Sequence, residues 1–289
     1  VNYKLFEHTN LRASFGQGYR YPSIAEKFVS TAVGALNLFP NPNLKPEGGF
    51  STEVGIMQGI KIGKWKGFVD GAYFLTEYQD MMEFAFGVYN PPGVPLTTQN
   101  LPSFIGFRAE NAERARISGF DFSIMGKGKC GPFEVSVFSG YTYMNPITLN
   151  NDSAYLASFS DSTTNMLKYR YKHLIKSDIQ IDYKGWSTGV SVRYNSFMVN
   201  IDKTFEFLYA YTNQGNPIPL GDVLLPGIKE YRTKNNKGQV IVDYRLSYSI
   251  NKNAKISAVI NNIFNIEYMG RPGDVQAPRT FAMQFKVEF

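Results

Sequence analysis

The sequence predicts an all-β fold, an antiparallel transmembrane β-barrel, on three observations. Long segments alternate apolar and polar residues with period two, tight turns alternate with long loops, and aromatic residues gather at segment ends. Composition agrees: aromatic residues make up 15% of the chain (Phe 23, Tyr 19), and Gly 26 and Pro 15 supply many turn formers. No apolar run reaches the roughly 18 residues that a transmembrane helix needs. Membrane strands remain open, because lipid-facing and lumen-facing residues alternate and dilute the hydropathy.

Taken in order, a β-type tail at Val1 to Leu5 precedes a strand at Leu11 to Gly18. From Phe50 to Ile62, Val54, Ile56 and Ile60 oppose Glu53, Gly55 and Lys61, and Gly63-Lys64 turns the chain into a run from Trp65 to near Gln79. A shorter run covers Ala115 to Met125. Phe133, Val135, Val137, Tyr141 and Tyr143 then oppose Glu134, Ser136, Gly140 and Thr142, with Phe138 as an apolar exception. Ile175, Ile179, Ile181 and Tyr183 oppose Lys176, Asp178, Gln180 and Asp182, and the turn Lys184-Gly185 leads to Trp186, Val190, Val192 and Tyr194 against Ser187, Ser191 and Arg193. Val240, Val242, Tyr244, Leu246 and Tyr248 oppose Asp243, Arg245, Ser247 and Ser249, and Asn251 to Asn253 leads to Ile256, Ala258 and Ile260. Last come Phe281, Met283, Phe285, Val287 and Phe289 against Thr280, Gln284, Lys286 and Glu288.

These make about ten strands of roughly 9 to 14 residues, where soluble sheets average about 5 to 6 and a tilted membrane strand needs about 9 to 11. A helical reading puts charges on every side. Short turns fall at 63–64, about 126–131, 184–185 and 251–253, and long loops at 19–49, 80–114, 145–170, 199–237 and 264–278. One tight end and one elaborate end is the outer-membrane pattern, and Trp65, Tyr183, Trp186, Tyr141, Tyr143 and Tyr194 stand where interfacial girdles belong. A soluble sandwich or propeller is the alternative, disfavoured by the length of these strands.

The net charge of +6 is scattered without a basic cluster, so no nucleic-acid partner is expected; it suits a phosphate-rich outer leaflet or an anionic ligand. A single Cys130 forms no internal disulfide, and His8 and His173 alone offer no metal or haem cluster, so no cofactor, metal site or catalytic set is expected. The opening VNYKL is neither a charged leader nor an apolar signal core, so the chain is expected to start within a larger protein.

LRASFGQGYRYPSIAEKF (Leu11 to Phe28) followed by NPNLKPE (Asn41 to Glu47) resembles a strand and loop of TonB-dependent receptor barrels. AENAERARISGFDFSI (Ala109 to Ile124), with its Gly119-Phe120-Asp121, looks like a strand of that family. VINNIFNIEYMGRPGDVQAPRTFAMQFKVEF (Val259 to Phe289) is similar to its last hairpin, and Phe285, Val287 and Phe289 resemble its barrel-sorting signal, with Gln284 where Gly is frequent. The resemblance spans residues 1–289 and implies the carboxy-terminal part of a barrel of about 22 strands, without its plug domain and amino-terminal strands. An open arc would leave unpaired edges in lipid, so a fragment or a second completing polypeptide is expected.

The implied function is import of a scarce nutrient (siderophore, cobalamin, haem, glycan or peptide) across the outer membrane of a Gram-negative bacterium. The implied partners are outer-membrane lipid and lipopolysaccharide, the missing plug and strands, and TonB acting through the plug, with room for a surface lipoprotein. Candidate ligand contacts are the loop aromatics and cations Arg20, Tyr21, Tyr89, Phe104, Arg108, Tyr155, Tyr209, Tyr211 and Arg271, although Arg271-Pro272-Gly273-Asp274 reads more as a turn with locally paired charges. Two competitors are a self-closed ten-stranded barrel with hydrolytic activity, drawing on His173 with Asp161 and Ser162, and a passive porin or adhesin.

Overall fold

The computed structural model describes residues 1–33, 36–97, 99–207, 209–211, 217–219 and 224–288. Its strands are β1 (Asn2–Phe6), β2 (Thr9–Arg20), β3 (Thr31–Val33), β4 (Leu36–Phe39), β5 (Glu47–Ile62), β6 (Lys64–Val88), β7 (Ile105–Cys130), β8 (Phe133–Thr148), β9 (His173–Tyr183), β10 (Trp186–Asn195), β11 (Tyr209–Tyr211), β12 (Pro217–Pro219), β13 (Gln239–Ser249), β14 (Ala254–Asn261) and β15 (Thr280–Val287). Short helices α1 (Ile24–Phe28), α2 (Leu101–Phe104), α3 (Ser153–Ala157) and α4 (Ile228–Lys234) lie in the loops. None is long and apolar enough to cross a membrane.

Eleven strands pair in the order β1-β2-β5-β6-β7-β8-β9-β10-β13-β14-β15, each antiparallel to its neighbour. The expected strands and the Val1 to Leu5 tail are all present in this arc. Its outer strands, β1 and β15, do not pair with each other, so the described sheet is an open part of a barrel. One departure from antiparallel order is β4, which adds parallel to β7. Lys184 and Gly185 both take positive φ (45° and 86°), the combination a two-residue type I′ turn requires, and Tyr183 pairs with Trp186 across it.

The unbroken registers sort the side chains onto two faces. Leu11, Val54, Tyr73, Phe120, Tyr143, Ile179, Val190, Tyr248 and Phe285 belong to one, with Val54 53%, Phe120 56% and Phe285 64% exposed. The other face is polar and cross-linked. Arg12 on β2 holds Glu53 on β5 (2.7 Å) and Asp70 on β6 (2.8 Å), and Arg245 on β13 reaches Asp178 on β9 (2.6 Å) and Ser191 on β10 (2.9 Å). Gly189 makes room for that span: a Cβ there would meet the Arg245 guanidinium carbon at 2.5 Å.

Aromatic belts bound the apolar face at both ends. Phe133 and Tyr183 (5.1 Å) and Trp186 and Tyr248 (4.6 Å) mark the tight-turn end, and Tyr73 and Phe120 (5.1 Å) and Tyr143 and His173 (5.3 Å) mark the loop end. His173 and Tyr183 close the two ends of β9; its 11 residues, at a rise of ~3.4 Å per step and tilted ~40°, give an apolar band of about 25 Å, the height of a bilayer-spanning barrel. No apolar-face strand position between the belts carries Asp, Glu, Lys or Arg among the described residues.

Two expected boundaries are corrected. The turn placed near 126–131 is only Gly131 and Pro132, because β7 continues to Cys130 and pairs it with Phe133. Gly126 lies within the strand and clears space for an indole: a Cβ there would lie 2.2 Å from Cζ2 of Trp65. The 80–114 stretch is mostly a hairpin, since β6 runs to Val88 and β7 starts at Ile105, leaving 89–104 as the loop. Alternation vanished there because Met81, Met82, Phe86 and Val88 pack against loop residues, and Asp80 takes φ 51°.

Candidate functional site

Above the loop-end belt the chain builds a cap with a conventional interior. The extended β6–β7 hairpin is its mast: Phe86 and Phe107 meet edge-on at 5.2 Å, and Phe205 from the β10–β13 connection packs on both, at 6.0 and 6.2 Å. Met198, Ile201, Phe205 and Ile228 form one buried cluster, and Phe86 and Val88 another that Leu101 and Phe104 cover.

A buried polar centre joins the β8–β9 and β10–β13 connections. Lys168 Nζ lies 2.7 Å from Asp202 Oδ1, both side chains are almost fully buried, and the Tyr169 hydroxyl donates to the other Asp202 oxygen. Asn200 donates to the Met166 carbonyl (2.9 Å) and accepts from the Asp161 N–H (2.8 Å), while the Tyr155 hydroxyl donates to Glu83 on β6 (2.7 Å). Burial works against the Lys168 ammonium, but Asp202 and then Glu83 outweigh it and raise its pKa. Burial first, then the Glu83 charge, pushes the Tyr155 hydroxyl far above the ordinary tyrosine value; burial and Asp202 do the same to Tyr169.

The candidate contacts fall into distinct places. Arg108 lies over the Tyr89 ring at 4.2 Å and donates to Glu110 (2.6 Å), and Phe39 packs on Tyr89 at 5.3 Å. Tyr89 is half-buried, with its hydroxyl on the Ala85 carbonyl, and Phe104 sits in the neighbouring apolar cluster. Arg20 pairs with Glu26, which with Ser23 forms the capping box of α1; there burial is outweighed by the Ser23 N–H and Arg20, lowering the Glu26 pKa. Tyr21 is 76% exposed. Tyr155 belongs to the buried centre. Tyr209 and Tyr211 are in β11, paired with β12, and their side chains lie outside the described residues, as does Phe289.

Arg271 lines a cleft with Tyr171, Phe197, Met198, Tyr231 and Arg232. Gln239, also on that cleft, has a buried Oε1 with no hydrogen-bond partner among the described residues, an acceptor that no sequence pattern signalled. The expected turn at 271–274 forms, closed by the Asp274 N–H on the Arg271 carbonyl (3.0 Å), but no ion pair joins the two side chains among the described residues. His173 bonds the Tyr141 hydroxyl (2.9 Å) on the apolar face, whereas Asp161 accepts from Thr163, so no hydrogen bond brings the hydrolytic candidates together among the described residues.

An apolar-faced, polar-lined arc of antiparallel strands, capped at its loop end, is the wall of a membrane β-barrel. A family model described as TonB dependent receptor-like, beta-barrel matches residues 1–263, and the chain belongs to that family.

Solved structures share the fold. The ferric-catecholate import receptor Fiu from K12 E. coli is 18% identical with a TM-score of 0.62, over 100% of this chain and 34% of that one. A mutant of the ferric enterobactin receptor from Pseudomonas aeruginosa is 15% identical with a TM-score of 0.60, over 100% and 39%. A Serratia marcescens hemophore receptor in complex with its hemophore and heme is 17% identical with a TM-score of 0.59, over 99% and 38%. The chain thus spans less than two fifths of these relatives. Comparison with curated proteins by sequence gives no match.

Proposed function

We propose that this chain is the carboxy-terminal part of the wall and outer mouth of a TonB-dependent receptor that imports a scarce nutrient across the outer membrane of a Gram-negative bacterium. The observation that carries the reading is the face chemistry: an uncharged apolar band about 25 Å high backed by a charged lining, with a folded cap at one end. Further strands, from the same or another polypeptide, complete the barrel, since unpaired edges in lipid cost several kcal/mol per backbone group. A plug domain fills the lumen and couples the wall to TonB, and the loop end faces outward.

Ligand reaches the mouth at the cap. Tyr89 with Arg108, and the cleft of Tyr171, Arg271 and Gln239, offer aromatic, cationic and acceptor groups suited to an anionic or polar aromatic cargo. Relatives whose names specify ferric siderophores and heme support the siderophore and haem classes; cobalamin, glycan and peptide remain further members of the test panel. A surface lipoprotein covering the mouth is compatible with the exposed outer loops.

The test compares uptake of ferric siderophores, haem, cobalamin, oligosaccharides and peptides in cells lacking the protein and cells lacking TonB. One cargo should be lost in both. Uptake that survives loss of TonB would make the barrel a passive porin and overturn the reading.

A further inference from the structure

Gln239 opens β13 on the parity of Ile241, Asp243 and Arg245, so its side chain leaves from the polar face at the loop end. Its Nε2 donates to the Tyr231 hydroxyl (3.2 Å), which in turn donates to the Glu267 carbonyl (3.0 Å). That chain fixes the amide: turned over, it would set its oxygen against a hydroxyl oxygen whose proton is already engaged. Oε1 is then left over on the cleft, buried and without a partner among the described residues, where an unmet acceptor costs more than a typical hydrogen bond returns.

The other polar groups around the cleft are mostly committed. Arg232 holds Glu206, the Met198 carbonyl (2.9 Å) and the Val199 carbonyl (3.0 Å), and Asn235 donates to the Tyr231 carbonyl (3.0 Å). The Tyr171 hydroxyl donates to the Gly270 carbonyl (3.1 Å), and Ser196 Oγ accepts from the N–H groups of Lys172 (3.0 Å) and His173 (3.1 Å). Arg271 differs: it is exposed at the rim and makes no hydrogen bond or ion pair among the described residues. Between the two free groups the wall is apolar, with Phe197, Met198, Ile228 and Met269.

Charge is also unevenly placed. Burial, then Tyr231, raises the pKa of Tyr171 while Arg271 pulls it back; burial, then Glu267, raises that of Tyr231. The Tyr171 end therefore meets a cation and the Tyr231 end, beside Gln239, an anion. A ligand that completes the cleft brings a hydrogen-bond donor to Gln239, a negative charge to Arg271 and an apolar body between them. An acylated amino acid carries all three on a single carbon, and a cleft of about 430 Å³, counted out to its open mouth, stands at the small end of the range for ligand sites.

We propose that this cleft binds the carboxy-terminal residue of a short peptide. The amide N–H donates to Gln239 Oε1, the carboxylate sits on Arg271, and an aromatic or branched side chain packs on Phe197 and Met198. The assignment rests on the reading of the cap as the cargo mouth and deepens it: the chemistry of the cleft's own residues selects the peptide class from the cargo panel.

The experiment titrates the complete receptor, purified in detergent, with N-acetylphenylalanine and three analogues, following Kd by ligand-observed NMR. One analogue is the ester with oxygen in place of the N–H, one is the carboxamide without the charge, and one is N-acetylalanine without the ring. Each should bind the wild type about tenfold more weakly than the parent acid. The ester's deficit should vanish in Gln239→Met and the carboxamide's in Arg271→Met, while each variant keeps the other deficit. A misfolded cap does not imitate that crossed pattern.

Equal binding of acid and ester by the wild type overturns the proposal, since an ordered water then serves Gln239. So does the absence of saturable binding, or tighter binding of meta-hydroxybenzoate than of N-acetylphenylalanine, which would give the cleft to phenolic acids. Uptake of a labelled peptide ending in phenylalanine tests import separately: equal uptake in cells with and without TonB overturns the import reading, whereas the crossed pattern on purified protein upholds the cleft.

Discussion

The wall and the cap share strands β6 and β7 and follow opposite rules. In the band, large apolar side chains stand outward, with Phe281 73% and Met283 78% exposed, and the polar face makes the lateral ties. In the cap, Phe159 and Ile201 are 0% exposed, and even a lysine and an aspartate are buried against each other. Lipid is itself the apolar medium for the wall, so the sheet has no need to bury its aliphatic residues in protein. The cap stands in water and needs an interior of its own, which it draws from two loops and the upper β6–β7 hairpin.

The sharpest way to separate the two regions is Asp202→Ala. It strands a buried Lys168 ammonium and should cost the cap about 3–5 kcal/mol, read as faster amide exchange and proteolysis across 152–172 and 196–207, with heat-modifiable migration of the barrel unchanged. Equal loosening of both regions would mean that cap and wall form one cooperative unit.

Next in size is Ile179→Arg, near the middle of the apolar band, which should cost about 2–4 kcal/mol in urea unfolding from vesicles. Gln180→Arg, its neighbour on the polar face, should stay within about 0.5 kcal/mol. Similar costs at both sites would dissolve the assignment of the two faces.

Alkali should open the cap before the wall. The stability contributed by Lys168, whose pKa is raised in the fold, is complete below the ordinary 10.5 and is lost as pH climbs through the raised value. Tyr155 and Tyr169 stay neutral in the fold while the unfolded chain ionises above about 10, so they act in the same direction, at up to about 1.4 kcal/mol per pH unit per group. Tyrosinate absorbance of these two rings should therefore appear only together with cap proteolysis. Smallest is Arg245→Met: the Arg245–Asp178 pair is about a third exposed on each side, so its loss should cost about 0–1 kcal/mol by the same urea unfolding.

The elements the sequence revealed best are those whose two sides meet different media. Lys176 to Tyr183 and Trp186 to Asn195 alternate in polarity of face, with Ser177 and Thr188 as the departures on the apolar side, and their turn Lys184-Gly185 carries its own backbone chemistry. Asn262 was legible as part of a resembling string, and its amide proves to be a brace, accepting from the Ile266 N–H (2.9 Å) and donating to the Ile266 carbonyl (2.8 Å). The cap was not legible. Lys168 and Asp202 lie 34 residues apart, Tyr155 and Glu83 72, and neither pair leaves a local pattern. Among the ligand candidates, Tyr155 read as a loop aromatic and is a half-buried hydrogen-bond donor, while Glu110, Phe39 and Gln239 carried no signal at all.

By itself the sequence determined the strand directions, the faces and the tight turns, because a boundary between hydrocarbon and water imposes a two-residue period that any reader of the chain can count. The tertiary structure alone decided how far β6 and β7 rise above the belt, which loops fuse into the cap, and how Lys168 comes to meet Asp202. Those outcomes depend on contacts between segments distant in the chain, where protein lies on both sides and no solvent boundary remains to write a period into the residues.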